Sequence, residues 1–228
     1  IDAWKDFLDA CYNDRADVVI LRGESNLIHA FHQEILPFCH VILADEILEF
    51  RQQLNPKTQS DFLKSGAEII ELTQQTAYLL DDVVEHCYEK YANHYHRNPC
   101  LNHEKILPGL VEFSHSFLSD TKKTIFIARN KQQTVGYLCM EIKGGVGSTV
   151  IGGSSLTLPP LARHKILCDM THVGDAWLIE RGVKEFHAFT RTDKTYIQKL
   201  LTRNMHCQVS KSLATLHVNF FFDKMQTE

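Results

Sequence analysis

The sequence predicts an α/β protein whose mixed, mostly antiparallel central sheet is flanked by helices, with a small strand–helix–strand appendage at its N-terminal end. Three observations lead there. After residue 66, strand-like and helix-like runs follow in the order strand, two helices, three strands, helix, strand, helix, strand. The three consecutive strands are joined by short turns, as in an antiparallel meander. A single long helical run, 161–181, then separates the meander from the last strands. With 228 residues, 44% hydrophobic and 23% charged, the chain can bury a core, which excludes disordered and fibrous classes.

Each element has its own reason. Ala3, Trp4, Phe7, Leu8 and Cys11 recur at helical spacing, and Val18–Leu21 is a compact β-branched run. Ser25 stands where an N-cap belongs, ahead of Leu27, Ile28, Phe31 and Ile35, and Pro37 closes that helix. Extended structure resumes from Cys39 to Phe50. The stretch Asn55–Gly66 carries Pro, Lys, Ser and Gly, which places a boundary there and divides the chain into domains 1–65 and 66–228.

The second part opens with a strand, Ala67–Leu72, and a helix through Ala77, Leu80, Val83, Val84, Cys87, Tyr88 and Tyr91 that ends near His94. Another helix is expected from Asn102 to Leu118, disturbed in its first half by Pro108. The meander strands are Thr124–Ala128, Thr134–Ile142 and Ser148–Leu158, joined by Asn130-Lys131 and by the glycine turn 144–147. The long helix stops at Gly182. Val183–Thr190 reads as a strand, Lys194–Thr202 as a short helix and Cys207–Phe222 as a last strand, whose Phe220-Phe221-Phe222 suits a core or the interface of a homodimer.

Charge and composition narrow the partners. A net charge of −4 supplies no broad cationic surface, so nucleic acid is not an expected partner. No apolar run approaches the ~20 residues of a spanning helix, and no membrane partner is expected. Seven scattered cysteines without a C-x-x-C pair read as reduced, cytoplasmic thiols. Thirteen histidines include no H-E-x-x-H spacing, so no metal site is expected. The opening at Ile1 without a methionine reads as a trimmed or processed chain.

The segment FIARNKQQTVGYLCMEI, 126–142, with WLIERGVKEFHAFTRTDKTYIQKLL, 177–201, and SKSLATLHVNF, 210–220, resembles the GNAT family of acyl-CoA-dependent N-acyltransferases over residues 67–222. Within it, YANHYHRNPCLNHEKI, 91–106, and the strand at Ala214–Val218 are most similar to amino-sugar-nucleotide N-acetyltransferases of the dTDP-fucosamine type. The resemblance implies a GNAT-type fold, acetyl-CoA as acyl donor and a small-molecule primary amine, such as that of an amino-sugar nucleotide, as acceptor. Two rival readings are a non-catalytic interaction or regulatory module and an acyltransferase that takes its thioester from a carrier protein.

The family's glycine loop, whose bare amides cradle a diphosphate, corresponds here to Ala162–Leu167, with Lys165 and Leu167 in the glycine places. Arg163, His164 and Lys165 can meet the same negative charge with side chains, and Ile166 and Leu167 complete the implied donor-binding stretch. A basic triplet at a helix N-terminus opposes the helix dipole unless an anion is present. Leu156, Thr157 and Leu158, before Pro159-Pro160, are implied to offer backbone groups to pantetheine and to the thioester carbonyl. The family's N-x-x-A-x-x-x-Y pattern falls on Asp193–Leu200, so its tyrosine is replaced by Leu200, and Tyr196, one turn earlier, is the implied acid for the leaving thiolate. Glu141 is a candidate base acting through water, or simply an exposed strand carboxylate. His94 and His96 are candidates for acceptor binding, with His96 also a candidate base, or else they fill a helix end. Asp81, Asp82 and Glu85 are candidates to hold a cationic amine, or else read as a solvated helix face.

Overall fold

The computed structural model describes residues 2–35, 39–55, 65–88 and 92–220. Pro37, Tyr91, Phe221, Phe222 and most of the stretch 55–66 lie outside them. The elements are α1 (Asp2–Asn13), β1 (Val18–Glu24), α2 (Ser25–Ile35), β2 (His40–Gln53), β3 (Glu68–Glu71), α3 (Leu79–Tyr88), α4 (Ile106–His115), β4 (Lys123–Asn130), β5 (Gln133–Lys143), β6 (Val146–Ser154), α5 (Pro160–Glu180), β7 (Glu185–Arg191), α6 (Thr195–Lys199) and β8 (Gln208–Asn219). The class is the predicted one: among the described residues, eight strands pair mostly antiparallel, with helices against them.

The chain forms two compact units. The smaller comprises Ile1–Ile47, Asn93–Asn102 and Ser212–Glu228; the larger comprises Leu48–Ala92 and His103–Lys211. In the smaller, strands run β1-β8-β2, with β1 antiparallel to β8 from Val18↔Asn219 to Glu24↔Leu213. Its core joins Ile28, Phe31 and Ile35 of α2 to Val41 and to Ala214, Leu216 and Val218, one face of β8.

In the larger unit the order is β2-β7-β6-β5-β4-β3. The alternation along β5 separates two cores. Leu138 and Met140 pack with Ile166, Met170, Trp177 and Leu178 of α5, joined by Val135, the extra residue of a bulge against Ala128 and Arg129, whereas Tyr137 and Cys139 pack with Leu80, Val83, Val84 and Cys87 of α3. Gly144 and Gly145, both at positive φ (61° and 82°), make the two-residue turn between β5 and β6, where both positions of a tight hairpin turn need that conformation.

Several boundaries differ from the sequence expectation, among them α3, which ends at Tyr88 rather than near His94. β6 ends at Ser154 rather than Leu158, because the Ser155 amide turns back to the Val135 carbonyl (2.8 Å) and the Leu158 amide to the Ser155 carbonyl (3.3 Å). Pro108 does not disturb a helix already under way: α4 begins at Ile106, so the proline falls in the first turn, where its missing N–H costs nothing. The short helix after β7 widens into a π-turn over Leu200–Asn204, with Leu200 buried. Gly182, at φ 74°, stops α5 as expected.

Candidate functional site

The larger unit holds a break in its sheet. β6 runs parallel to β7 over only three pairs, Val146↔Glu185, Gly147↔Phe186 and Ser148↔His187, although β6 continues to Ser154 and β7 to Arg191. Just past the last pair, Val150 is an extra residue against Cys139 and Met140 of β5, a β-bulge that bends the strand. Beyond Ser148 the backbone of β6 is not paired with β7; the Gly152 carbonyl accepts from the Tyr88 hydroxyl instead, and the other groups of 149–154 on that side are open to another partner, which buried backbone groups require.

Side chains from three helices gather at this opening. Cys87 of α3 packs against Gly153, where a Cβ would lie 3.2 Å from its own, and the Tyr88 hydroxyl donates to the Gly152 carbonyl (3.1 Å). Arg163 of α5 carries its guanidinium 5.8 Å from the ring centroid of Tyr196 on α6. Burial pushes the Tyr196 phenol up, with the Arg163 charge and hydrogen bond opposing. Burial likewise holds the Cys87 thiol up at about 12, again opposed by Arg163. Both groups therefore keep their protons at neutral pH.

The remaining expected site residues are distributed as follows. Leu156, Thr157 and Leu158 lie in the turn after β6, not on the strand, with the Ser155 and Thr157 hydroxyls 2.8 Å apart. Ala162–Leu167 is inside the first two turns of α5, which starts at Pro160, so the unbonded first-turn amides are those of Leu161 and Ala162. Ile166 and Leu167 are buried in the core beneath α5. His164 Nε2 is 3.7 Å from Cys168 Sγ, and Lys165 is partly exposed. Asp193 is exposed and accepts from Arg191 Nη2 (2.6 Å).

Glu141 is partly exposed and aligned with Lys123 on β4 and Ser148 on β6, the latter facing His187 on β7. His187 stands between two carboxylates, with Nε2 2.8 Å from Glu185 and Nδ1 3.6 Å from Glu49. Burial pushes the Glu49 carboxyl up, but the Arg51 hydrogen bond and the charges of Lys211, Arg51 and His187 outweigh it and leave it below its usual value. Neither His187 nor Glu49 was singled out from the sequence, because they meet only through strand register.

His94 and His96 belong to the smaller unit, in a 3₁₀ turn over His94–Arg97. His96 Nδ1 lies 2.8 Å from Asn93 Oδ1 and helps close its own turn. The buried Asn98 amide donates to Asn219 Oδ1 (2.8 Å) and to His217 Nδ1 (3.1 Å). His217 Nε2 must then carry the proton and donate to His94 Nδ1 (2.9 Å), which leaves the His94 proton on Nε2. Burial lowers the His217 pKa, with Asp45 raising it and Arg22 lowering it further.

Among the described residues, no three His, Cys, Asp or Glu side chains gather as a metal site would require, and no helix is long and apolar enough to cross a membrane. No family model matches the sequence, and no curated protein sequence does. Solved structures do resemble it. A conserved protein of unknown function from Staphylococcus epidermidis matches with a TM-score of 0.60 at 8% identity, over 96% of this chain and 80% of that one. A GCN5-related N-acetyltransferase from Sphaerobacter thermophilus matches with a TM-score of 0.56 at 14% identity, over 88% of this chain and 59% of that one. Saccharomyces cerevisiae N-myristoyltransferase with bound myristoyl-CoA matches with a TM-score of 0.52 at 9% identity, over 85% and 55% respectively. At these identities the likeness is one of fold, and the fold is that of the GCN5-related acetyltransferases.

Proposed function

We propose that this chain is an N-acyltransferase that moves an acetyl or other acyl group from its coenzyme A thioester to the primary amine of a small molecule, with an amino-sugar nucleotide as the favoured acceptor. The observation that carries the reading is the parting of β6 and β7 after three pairs, with a bulge at Val150. Such an opening offers unpaired backbone to a pantetheine arm, which has amides of its own to return. The Leu161 and Ala162 amides at the start of α5, with His164 and Lys165, supply the positive end for the donor's diphosphate.

In this scheme an amine nitrogen attacks the thioester carbonyl, and positioning supplies much of the acceleration. Tyr196, protonated and beside the opening, gives its proton to the leaving sulfur. Glu141 takes the amine's proton through water. Free thiols at all seven cysteines fit a cytoplasmic setting.

Thermal unfolding with acetyl-CoA tests the reading. At a thousandfold excess over Kd the ligand adds about 4 kcal/mol of stability, or roughly 8–16 °C in Tm for a chain of this size. A Tm unmoved by millimolar acetyl-CoA would refute a coenzyme A donor and favour the non-catalytic reading.

A further inference from the structure

Buried polar atoms in folded proteins are almost always hydrogen-bonded, and one that is not marks a place where a ligand or strain is at work. Arg163 Nε is buried without such a partner. Its route through the molecule is informative. α5 covers the sheet face that carries Leu138 and Met140, whereas Cys87 of α3 lies on the opposite face, against Gly153. Arg163 leaves α5, yet its guanidinium stacks near Tyr196 and its charge is felt at Cys87. The side chain therefore reaches from one face toward the other at the end of the sheet where β6 no longer pairs with β7.

A cation placed to hold a diphosphate stands at the solvent mouth of such an opening. This one lies beside the Tyr196 phenol, with a buried and unused N–H donor at Nε. We propose that Arg163 is a catalytic residue that stabilises the sulfur leaving the acyl group, rather than an anchor for the donor's diphosphate. The proposal rests on the acyltransferase reading above and deepens it. As the new C–N bond forms, the C–S bond breaks and its electron pair goes to sulfur. The guanidinium holds that thiolate until the Tyr196 hydroxyl protonates it, and the proton lost by the amine passes to the base and returns to Tyr196 through solvent. A preorganised donor of this kind typically contributes about 10²–10³ in rate.

The test needs no acceptor. Coenzyme A is bound to the wild-type chain and to the Arg163→Gln, Arg163→Lys and Lys165→Ala variants. The ultraviolet absorption of its thiolate is then titrated against pH, with desulfo-coenzyme A as the blank that cancels the protein's own thiols. A cation within ~4–6 Å lowers an acidic group's pKa by about 1–3 units. The bound thiol is expected to be more acidic by about that amount in wild type and Lys165→Ala than in Arg163→Gln. Arg163→Lys, which keeps the charge and the aliphatic stem, should restore part of the shift, and coenzyme A affinity in Arg163→Gln should stay within about threefold of wild type. An equally acidic thiol in Arg163→Gln overturns the proposal. So does a tenfold or greater loss of coenzyme A affinity with the bound thiol unchanged, which returns Arg163 to the diphosphate. Both results leave the acyltransferase reading standing, whereas wild-type protein that binds no coenzyme A overturns that reading and this proposal together.

Discussion

Gly152→Ala is the substitution most closely tied to the geometry of the opening. A Cβ at Gly152 would lie 2.8 Å from the Tyr137 carbonyl oxygen and 3.1 Å from the Leu138 Cα, both backbone atoms of β5 that cannot rotate away. β6 must therefore shift by a few tenths of an ångström, and overpacking of this kind costs about 1–3 kcal/mol. Replacing glycine in a strand returns about 0.5–1 kcal/mol of backbone entropy. The net loss is about 0–2.5 kcal/mol, or up to roughly 10 °C in Tm for a chain of this size. Gly109→Ala is its control. Gly109 lies on the exposed side of α4 with nothing within 4 Å of a built Cβ, so alanine there should stabilise by about 1 kcal/mol. Thermal and urea melts followed by circular dichroism read both. A Gly152→Ala protein more stable than wild type would refute the packing described for β5 and β6, and a Gly109→Ala protein less stable than wild type would refute the open setting described for Gly109 on α4.

Three further outcomes follow from the same structure. Tyr196→Phe should lower acyl transfer from acetyl-CoA by about 10²-fold or more while leaving donor affinity within a few-fold, as measured by coenzyme A release and by calorimetry; an unchanged rate would remove Tyr196 from the chemistry. Phe31→Ala, which empties a side chain 1% exposed in the smaller unit's core, should cost about 3–5 kcal/mol, and a loss below about 1 kcal/mol in urea melts would contradict that core. Burial raises the Asp175 carboxyl from 3.8 to about 7, so the folded chain binds the extra proton and stability falls as pH rises from about 4 through about 7. Asp175→Asn should abolish that slope and stabilise the protein at pH 8 by at most about 4 kcal/mol, and a slope that persists in the variant would refute the assignment.

The fold was legible where pattern is local. The two periodicities mark the helices and strands, Gly144-Gly145 marks the hairpin, and Gly182 marks the end of α5. The site was only partly so. Arg163 and Tyr196 stand out as residue types near the right elements, but their approach depends on where α5 begins and on how far β6 accompanies β7. Nothing in the run from Ser148 to Leu158 signals that β6 stops at Ser154 or that Val150 is the extra residue, because both follow from pairing with β5. His187 with Glu49, and His217 with Asn98 and His94, are joined by register and by segments far apart in the chain, so spacing could not reveal them. Ile166 and Leu167 illustrate the reverse case. An alignment with a glycine loop makes them donor contacts, whereas their helical phase turns them into the core.

Hydrogen–deuterium exchange with and without coenzyme A tests most directly whether the gap between β6 and β7 receives the donor. Amides of residues 149–154 and of the start of α5 should gain protection on binding, while those of β4 stay unchanged. Coenzyme A that binds without slowing exchange at 149–154, or that protects a different part of the chain instead, would contradict the account.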